Sequence, residues 1–250
     1  MGGEFGLLLA AVQTLTRVPV AAPHGPDVLR RASRYLPLVG LGIGAVAGLV
    51  FALAAAGFPP VVAALLSVGA TLLLTGALHE DGLADCCDGL FGGQDRESAL
   101  RIMRDSRVGV FGVLGLGVVL ALKVACVASL ASPAAIVLAH GSSRFWMVGV
   151  AALLPYARGP GVAGGMAGGM AGGMAGPALL ELAVAALFGL SPLVLLGPGV
   201  GTALGLSGLA AAAVGFWARR VLGGYTGDVL GAVQQVAEVS VLLAVLWHGV

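Results

Sequence analysis

The chain has 250 residues, of which 58% are hydrophobic and 10% are charged, and its formal net charge is +1. A soluble domain carries about 25% charged residues, so this composition excludes an ordinary soluble protein. The small net charge gives no sign of nucleic-acid binding. The cysteines, Cys86, Cys87 and Cys126, provide neither a disulfide framework nor the CxxC spacing of a zinc site. The sequence predicts one all-α domain over residues 1–250, a polytopic integral membrane helical bundle.

Apolar runs of about 20 residues, the length that spans a bilayer, recur along the chain. The apolar run at 5–12 is too short to span and follows Glu4, so we expect an interfacial or re-entrant helix there. After it we predict about seven transmembrane helices. They lie near residues 36–58, 59–79, 108–131, 133–155, 177–197, 198–218 and 229–249.

The segments between these spans alternate in charge. Those near 58–60, 131–133 and 197–199 carry none, whereas the other segments hold the arginines: Arg17, Arg30, Arg31, Arg34, Arg96, Arg101, Arg104, Arg107, Arg158, Arg219 and Arg220. Because positively charged loops stay inside, we expect the charged side to face the cytoplasm of a bacterial inner membrane. One of these segments, 156–176, repeats GGMA three times and predicts a flexible loop.

The most informative stretch is HEDGLADCCDGLFGG, residues 79–93. Asp81, Asp85 and Asp88 are spaced i, i+4, i+7 and would share one face of a helix. Their mutual repulsion calls for a cation, and Mg²⁺, with Mn²⁺ as an alternative, binds carboxylates together with substrate phosphates. We therefore predict a catalytic loop at 79–107 and metal ligands at Glu80, Asp81, Asp85 and Asp88. A solvated loop of mixed charge is the alternative explanation.

Two further segments carry candidate substrate contacts. Arg104 and Arg107 lie beside the next predicted span and suit phosphate oxygens, with anchoring of the span by positive charge as the alternative. Tyr225, Thr226 and Asp228 lie among glycines in LGGYTGD, residues 222–228, which predicts either a binding segment or an ordinary turn with Asp228 as a helix N-cap.

Ionisable residues inside predicted spans are functional candidates by default. Arg144 and Glu238 lie within such spans, and either a buried ion pair or a substrate cavity would explain them. Lys123 lies toward the uncharged side of its span and is expected to snorkel. His79 directly precedes the acidic run, where it could act as a base or ligand.

HEDGLADCCDGLFGG, followed by RIMRDSRVGVFG (101–112) and LGGYTGDVLGA (222–232), resembles the cobalamin 5′-phosphate synthase family, also called adenosylcobinamide-GDP ribazoletransferases. The segments TRVPV (16–20), YLPLVG (35–40) and PYARGPG (155–161) fit the same family in order. The resemblance implies a Mg²⁺-dependent membrane enzyme of late cobalamin synthesis. It would transfer the adenosylcobinamide phosphate group from adenosylcobinamide-GDP to α-ribazole or α-ribazole 5′-phosphate and release GMP.

With this resemblance, Asp81, Asp85 and Asp88 are expected to hold one or two Mg²⁺, assisted by Glu80 and Asp105. Arg104 and Arg107 would bind phosphate, and Asp105 or Asp228 would accept the proton of the attacking hydroxyl. Tyr225, Thr226, Arg144 and Glu238 complete the expected substrate contacts, and a homo-oligomer is left open.

Two other functions remain as alternatives at this point. Asp85 to Gly89 matches the DxxDG opening of the CDP-alcohol phosphotransferases, which make phospholipids, but Phe91-Gly92-Gly93 departs from the x-A-R that follows in them. A membrane transporter would concentrate charge near the midplane, whereas most charge here lies in the predicted loops.

Overall fold

The computed structural model describes residues 3–158, 172–174 and 176–249. Most of the predicted flexible GGMA loop falls on residues 159–171 and 175, outside the described ranges. In chain order the α-helices are α1 (Glu4–Leu15), α2 (Pro26–Ala32), α3 (Leu36–Ala55), α4 (Pro60–Thr75), α5 (Leu78–Gly92), α6 (Arg96–Ile102), α7 (Val110–Leu130), α8 (Pro133–Leu153), α9 (Leu179–Gly189), α10 (Val200–Leu222) and α11 (Gly227–His248). Two 3₁₀ segments, Ser33–Tyr35 and Ser191–Gly199, lie between them.

Five helical stretches in the described ranges are long and apolar enough to cross a membrane, or six if α4 and α5 form one bent span. They are the continuous stretch Pro26–Ala55, α7, α8, α10 and α11. This confirms the polytopic helical membrane bundle, but with fewer full-length spans than the seven predicted. The span predicted at 177–197 is broken, because α9 ends at Gly189 and Gly197 interrupts the following 3₁₀ segment with φ of 57°.

The second predicted span, 59–79, also ends early. α4 has 16 residues and α5 continues at 90° to it. Gly76 and Ala77, with φ of 69° and 57°, make the bend. Gly76 takes the left-handed conformation that glycine tolerates at a helix C-terminus, and a Cβ there would lie 2.1 Å from Nε of Arg17. The predicted loop 79–107 is therefore largely helical, formed by α5 and α6.

α11 is the central helix of the bundle. It packs against α5, α7, α8 and α10. Its most apolar stretch is 78% buried by protein, compared with 22% for α7 and for α10, which therefore present most of their surface outward. Polar side chains on α11 are thus enclosed by other helices rather than by lipid.

Glycines allow α3 and α8 to pack closely. Gly40, Gly44 and Gly48 repeat every four residues and lie on one side of α3. A Cβ at Gly40 would lie 2.5 Å from the carbonyl oxygen of His140, and one at Gly44 would lie 2.7 Å from Cα of Val137. This spacing brings the polar residues of α8 into the interior of the bundle.

We expect Gly44→Ala to lower the stability of the bundle, because the added methyl group meets backbone rather than a movable side chain. Overpacking of this kind costs about 1–3 kcal/mol, or roughly 2–12 °C in melting temperature. Gly42→Ala on the same helix is the matched control, since nothing lies within 4 Å of its Cβ. Thermal unfolding in lipid nanodiscs measures both, and equal melting temperatures would contradict the packing argument.

Candidate active site

The acidic residues of α5 point into different surroundings. Asp81 is exposed and Asp85 is half-buried, whereas Glu80 and Asp88 are buried. Because each residue of a helix is rotated by about 100° from the one before, Glu80 and Asp81 face different neighbours. The four predicted metal ligands thus do not share one environment.

Asp88 anchors the first turn of α7. Its carboxylate oxygens accept hydrogen bonds from the backbone N–H groups of Gly109 and Gly112, at 2.6 and 2.8 Å. The negative charge also suits the positive end of the helix dipole. A Cβ at either glycine would come within 2.6 Å of an Asp88 oxygen, so glycine is needed for this close approach. Asp88 therefore serves to hold α5 against α7.

Glu80 faces the interior of the bundle. Its Oε1 accepts a hydrogen bond of 2.7 Å from Nε2 of Gln235 on α11 and lies 3.9 Å from Nζ of Lys123 on α7. Its other oxygen, Oε2, has no hydrogen-bond partner among the described residues. Glu80 is thus paired within a buried network rather than turned toward Asp81.

The structure brings Asp228 to the acidic helix. Gly82 of α5 packs against the first turn of α11, where a Cβ on Gly82 would lie 3.0 Å from Cα of Asp228. Asp81 and Asp228 line the same cavity, and the charges of both act on Asp85. We call Asp81, Asp85 and Asp228 the acidic cluster.

The acidic cluster fits Mg²⁺ better than zinc. No group of three or more His, Cys, Asp or Glu side chains forms a ready metal cage in the part of the chain that the structure describes. Mg²⁺ does not need such a cage, because it is usually bound by one or two carboxylates together with waters and substrate phosphates. The mutual repulsion of the three carboxylates would be relieved by a cation between them. The cluster is therefore suited to share a cation with a phosphate ligand.

Arg158 is a site residue that the sequence interpretation missed. Its Nη2 lies 2.7 Å from Oδ2 of Asp228, and both side chains are largely buried. The segment 155–158 is tied to the loop before α11 by two backbone bonds, Ala157 N–H to Tyr225 O and Tyr225 N–H to Pro155 O. Gly224 permits this pairing, since a Cβ there would lie 2.1 Å from the Pro155 oxygen.

Arg96 of α6 strengthens the same junction. It donates to the carbonyl oxygens of Leu222 and Ala157, each at 2.7 Å. The sequence places Arg96 and Arg158 among the arginines of the predicted loops and gives no sign of these partners. Their partners are backbone atoms and an acid that lie 61 to 126 positions away along the chain.

Tyr225 and Thr226 support Asp228. Tyr225 is fully buried and packs against Tyr156 with their ring centroids 5.6 Å apart. Thr226 is the N-cap of α11: its hydroxyl oxygen accepts from the N–H of Val229 and its O–H donates to Oδ2 of Asp228. The predicted N-cap is present, with Thr226 as the capping residue instead of Asp228.

Asp105, Arg107 and Arg104 lie at the exposed surface. Nη2 of Arg107 is 2.6 Å from Oδ2 of Asp105. Hydrogen bonds from Arg107 lower the pKa of Asp105 to about 2. A proton acceptor works best with a pKa near the operating pH, so Asp105 is poorly suited to that role. Arg104 lines a surface cavity of α6 together with Arg96 and Arg101.

The ionisable residues predicted inside the spans form one buried network. Glu238 lies 2.9 Å from Nζ of Lys123 and 3.1 Å from Nδ1 of His140. Arg144 donates to the His140 carbonyl oxygen at 2.8 Å and contacts Nδ1 at 3.2 Å. The ion pair expected between Arg144 and Glu238 is therefore replaced by Lys123–Glu238. The expected snorkelling of Lys123 is wrong, because only 3% of this residue is exposed.

Two glutamines of α11 complete this network. Gln235 accepts from Nζ of Lys123 at 2.8 Å and donates to Oε1 of Gln234. Gln234 in turn donates to Ser143 and to Glu238. We call Glu80, Lys123, His140, Arg144, Gln234, Gln235 and Glu238 the buried network. The paired glutamines within an apolar span were the sequence signal that could have revealed it.

Comparison with known proteins identifies the family. Residues 7–246 match the family model described as Cobalamin-5-phosphate synthase. The chain belongs to this family. Proteins named adenosylcobinamide-GDP ribazoletransferase from Leptothrix cholodnii and Ralstonia nicotianae are 43% and 44% identical, and each alignment covers 96% of this chain and 94% of the relative. A protein of that name from Bradyrhizobium diazoefficiens is 39% identical, over 94% of this chain and 90% of its own length.

Membership of the Cobalamin-5-phosphate synthase family confirms the resemblance and makes the chain a transferase of cobalamin synthesis. It separates the chain from the CDP-alcohol phosphotransferases and from transporters. No solved structure significantly matches this chain.

We expect Lys123→Met to destabilise the enzyme by about 3–5 kcal/mol, because it leaves the buried Glu238 carboxylate without its cation. The double substitution Lys123→Met with Glu238→Gln removes both charges and should recover more than half of the loss. Thermal unfolding in nanodiscs compares the melting temperatures of the unaltered enzyme, the single variant and the double variant. A double variant as unstable as the single one would show that charge pairing is not the cause.

Proposed function

We propose that this enzyme transfers the adenosylcobinamide phosphate group from adenosylcobinamide-GDP to α-ribazole or α-ribazole 5′-phosphate, with Mg²⁺ as cofactor and GMP as the second product. The names of the relatives support the two substrates. The observation that carries the proposal is that Asp81 on α5 and Asp228 on α11 line the same cavity, where Gly82 packs against Asp228 and Arg158 lies beside it. Carboxylates that meet next to an arginine suit a cation and a phosphate group.

Phosphoryl transfer depends on positioning and charge neutralisation more than on covalent catalysis. The acceptor hydroxyl oxygen bonds to the phosphorus that carries cobinamide, and the bond from that phosphorus to the GMP oxygen breaks. Mg²⁺, when bound, neutralises negative charge on the pyrophosphate. Asp81 and Asp85 would hold it. Arg104 and Arg107, which are exposed, would bind donor phosphate oxygens.

Asp228 is the carboxylate that we assign to the proton of the acceptor hydroxyl. Arg158 and Thr226 both contact its Oδ2 and therefore fix the plane of the carboxylate. Asp228 lies in the first turn of α11, at the end of the bundle that carries the arginine-rich loops. This position supports an acceptor site between α5 and α11, near the other members of the acidic cluster.

We also propose that the site faces the cytoplasm of a bacterial inner membrane. Arg96, Arg158, Arg219 and Arg220 lie at the same end of the bundle as Asp228, and positive loops favour the cytoplasmic side. Phe91, Phe111 and Trp217 form an aromatic cluster on the outer surface near this end, with Phe91 4.4 Å from Trp217 and 5.5 Å from Phe111 between ring centroids. Aromatic side chains of this kind favour the membrane–water boundary.

The test is release of GMP from adenosylcobinamide-GDP and α-ribazole 5′-phosphate by purified enzyme in nanodiscs. We expect GMP and cobalamin 5′-phosphate to form in equal amounts with Mg²⁺ and to stop when a chelator is added, with recovery on adding Mg²⁺ or Mn²⁺. Turnover that persists unchanged in chelator would contradict the metal requirement. No turnover by the folded enzyme with either acceptor would contradict the proposed reaction.

We expect Asp81→Asn, Asp85→Asn and Asp228→Asn each to lower kcat by about 10²-fold or more, as loss of a metal ligand or proton acceptor does. Asp85→Asn should at the same time keep or raise the melting temperature in chelator, because it removes one of three repelling charges. Asp27→Asn is the matched control, since in the part of the chain that the structure describes Asp27 forms its ion pair with Arg30 at the surface. Activity of Asp228→Asn within twofold of the unaltered enzyme would overturn its role.

A further inference from the structure

A small cavity of about 60 Å³ lies between α5 and α11. Most of its wall is apolar and comes from five regions of the chain, represented by Leu15, Leu36, Met147, Met174 and Leu230. Its polar end is formed by Asp81 and Asp228 of the acidic cluster. An apolar chamber that opens onto carboxylates suits a ligand with an apolar part and a polar part at one end.

His79 contributes a ring nitrogen, Nε2, to this otherwise mostly apolar wall. The residue is 3% exposed and lines the cavity, and its Nε2 has no hydrogen-bond partner in the described part of the chain. A buried ring nitrogen without a partner is destabilising, so such groups are normally satisfied by a ligand or water. The hydroxyl of Thr14, also in the wall, already donates to the carbonyl oxygen of Ala10.

We propose that this cavity binds the aromatic base of the acceptor, with Nε2 of His79 donating to the unsubstituted nitrogen of the ring. This inference rests on the proposed function and names the part of the site that recognises one substrate. A dimethylated benzimidazole presents two apolar edges and one free ring nitrogen, which matches an apolar wall with one unpartnered donor. The sugar attached to the other ring nitrogen then faces Asp81 and Asp228.

The alternative occupant, the guanine of the donor, fits this wall less well. A purine base carries donors and acceptors along several edges, and most of them would be left unpaired against leucine and methionine side chains. The volume of the cavity is small for a bicyclic ring. Met147 and Met174 can make room, because the unbranched thioether side chain adapts to the shape of an aromatic partner and favours contact with it.

The first test is direct binding of free 5,6-dimethylbenzimidazole to the enzyme in nanodiscs by equilibrium dialysis, without donor and without turnover. We expect saturable binding that guanosine does not displace. His79→Leu should weaken this binding about tenfold, because the ring nitrogen loses its donor. His79→Gln, which keeps an N–H donor, should stay within about threefold. Displacement by guanosine, or unchanged binding to His79→Leu, would overturn the proposal.

The second test separates substrate recognition from folding. In steady-state assays His79→Leu should raise KM for the acceptor about tenfold and leave KM for adenosylcobinamide-GDP unchanged, whereas a purely structural role would lower kcat or the folded fraction. His248→Gln is the matched control, because His248 contacts Thr202 at the opposite end of α11. An equal rise in both KM values would overturn the proposal.

The two tests also distinguish this inference from the proposed reaction. If the enzyme binds the free base through His79 but releases no GMP, the cavity assignment stands and the reaction fails. If it releases GMP while His79→Leu keeps the acceptor KM and the binding of the base, the reaction stands and the cavity assignment fails.

Discussion

The buried ion pair between Lys123 and Glu238 is the interaction on which the rest of the structure depends. It lies inside an apolar bundle, where an unpaired charge is expensive and a pair is tolerated only when its remaining polar atoms are satisfied. Gln234 and Gln235 supply the additional bonds, and His140 contacts the second carboxylate oxygen. With Glu80 and Arg144 included, the buried network holds two acidic and two basic side chains, so its formal charges balance.

The buried network also fixes the position of α5, which carries part of the acidic cluster. Because Glu80 belongs to the buried network through Gln235, the start of α5 is fixed against α11. Asp88 fixes the other end of α5 against α7. Between these two attachments, Asp81 and Asp85 are held opposite Asp228. The network residues therefore position the acidic cluster without belonging to it.

The acidic cluster differs from the buried network in one physical respect, which is its excess of negative charge. Asp81 and Asp228 line one cavity with Asp85 nearby, and among the described residues Arg158 pairs with Asp228. A protein would gain stability by neutralising such a group, so an acidic cluster at a cavity indicates function. Three consecutive residues of α5 face three different surroundings, because each residue of a helix is rotated by about 100° from the one before. His79 lines the cavity, Glu80 belongs to the buried network and Asp81 belongs to the acidic cluster.

Hydropathy is a local property of each segment, so the sequence was enough to predict a polytopic helical membrane protein. It predicted seven full-length spans where the described residues form five or six, and it predicted a loop at 79–107 that is largely helical. The sequence also carried the motifs by which the family is recognised. The bend from α4 into α5, the pairing of Lys123 with Glu238 and the approach of Asp228 and Arg158 to the acidic residues of α5 are visible only in the folded protein. These outcomes depend on contacts between residues far apart in the chain, and on a bend at Gly76 and Ala77 that hydropathy does not register. Helical spacing on α5 predicted that Asp81, Asp85 and Asp88 act together, but Asp88 binds the backbone at the start of α7 and lies apart from the acidic cluster.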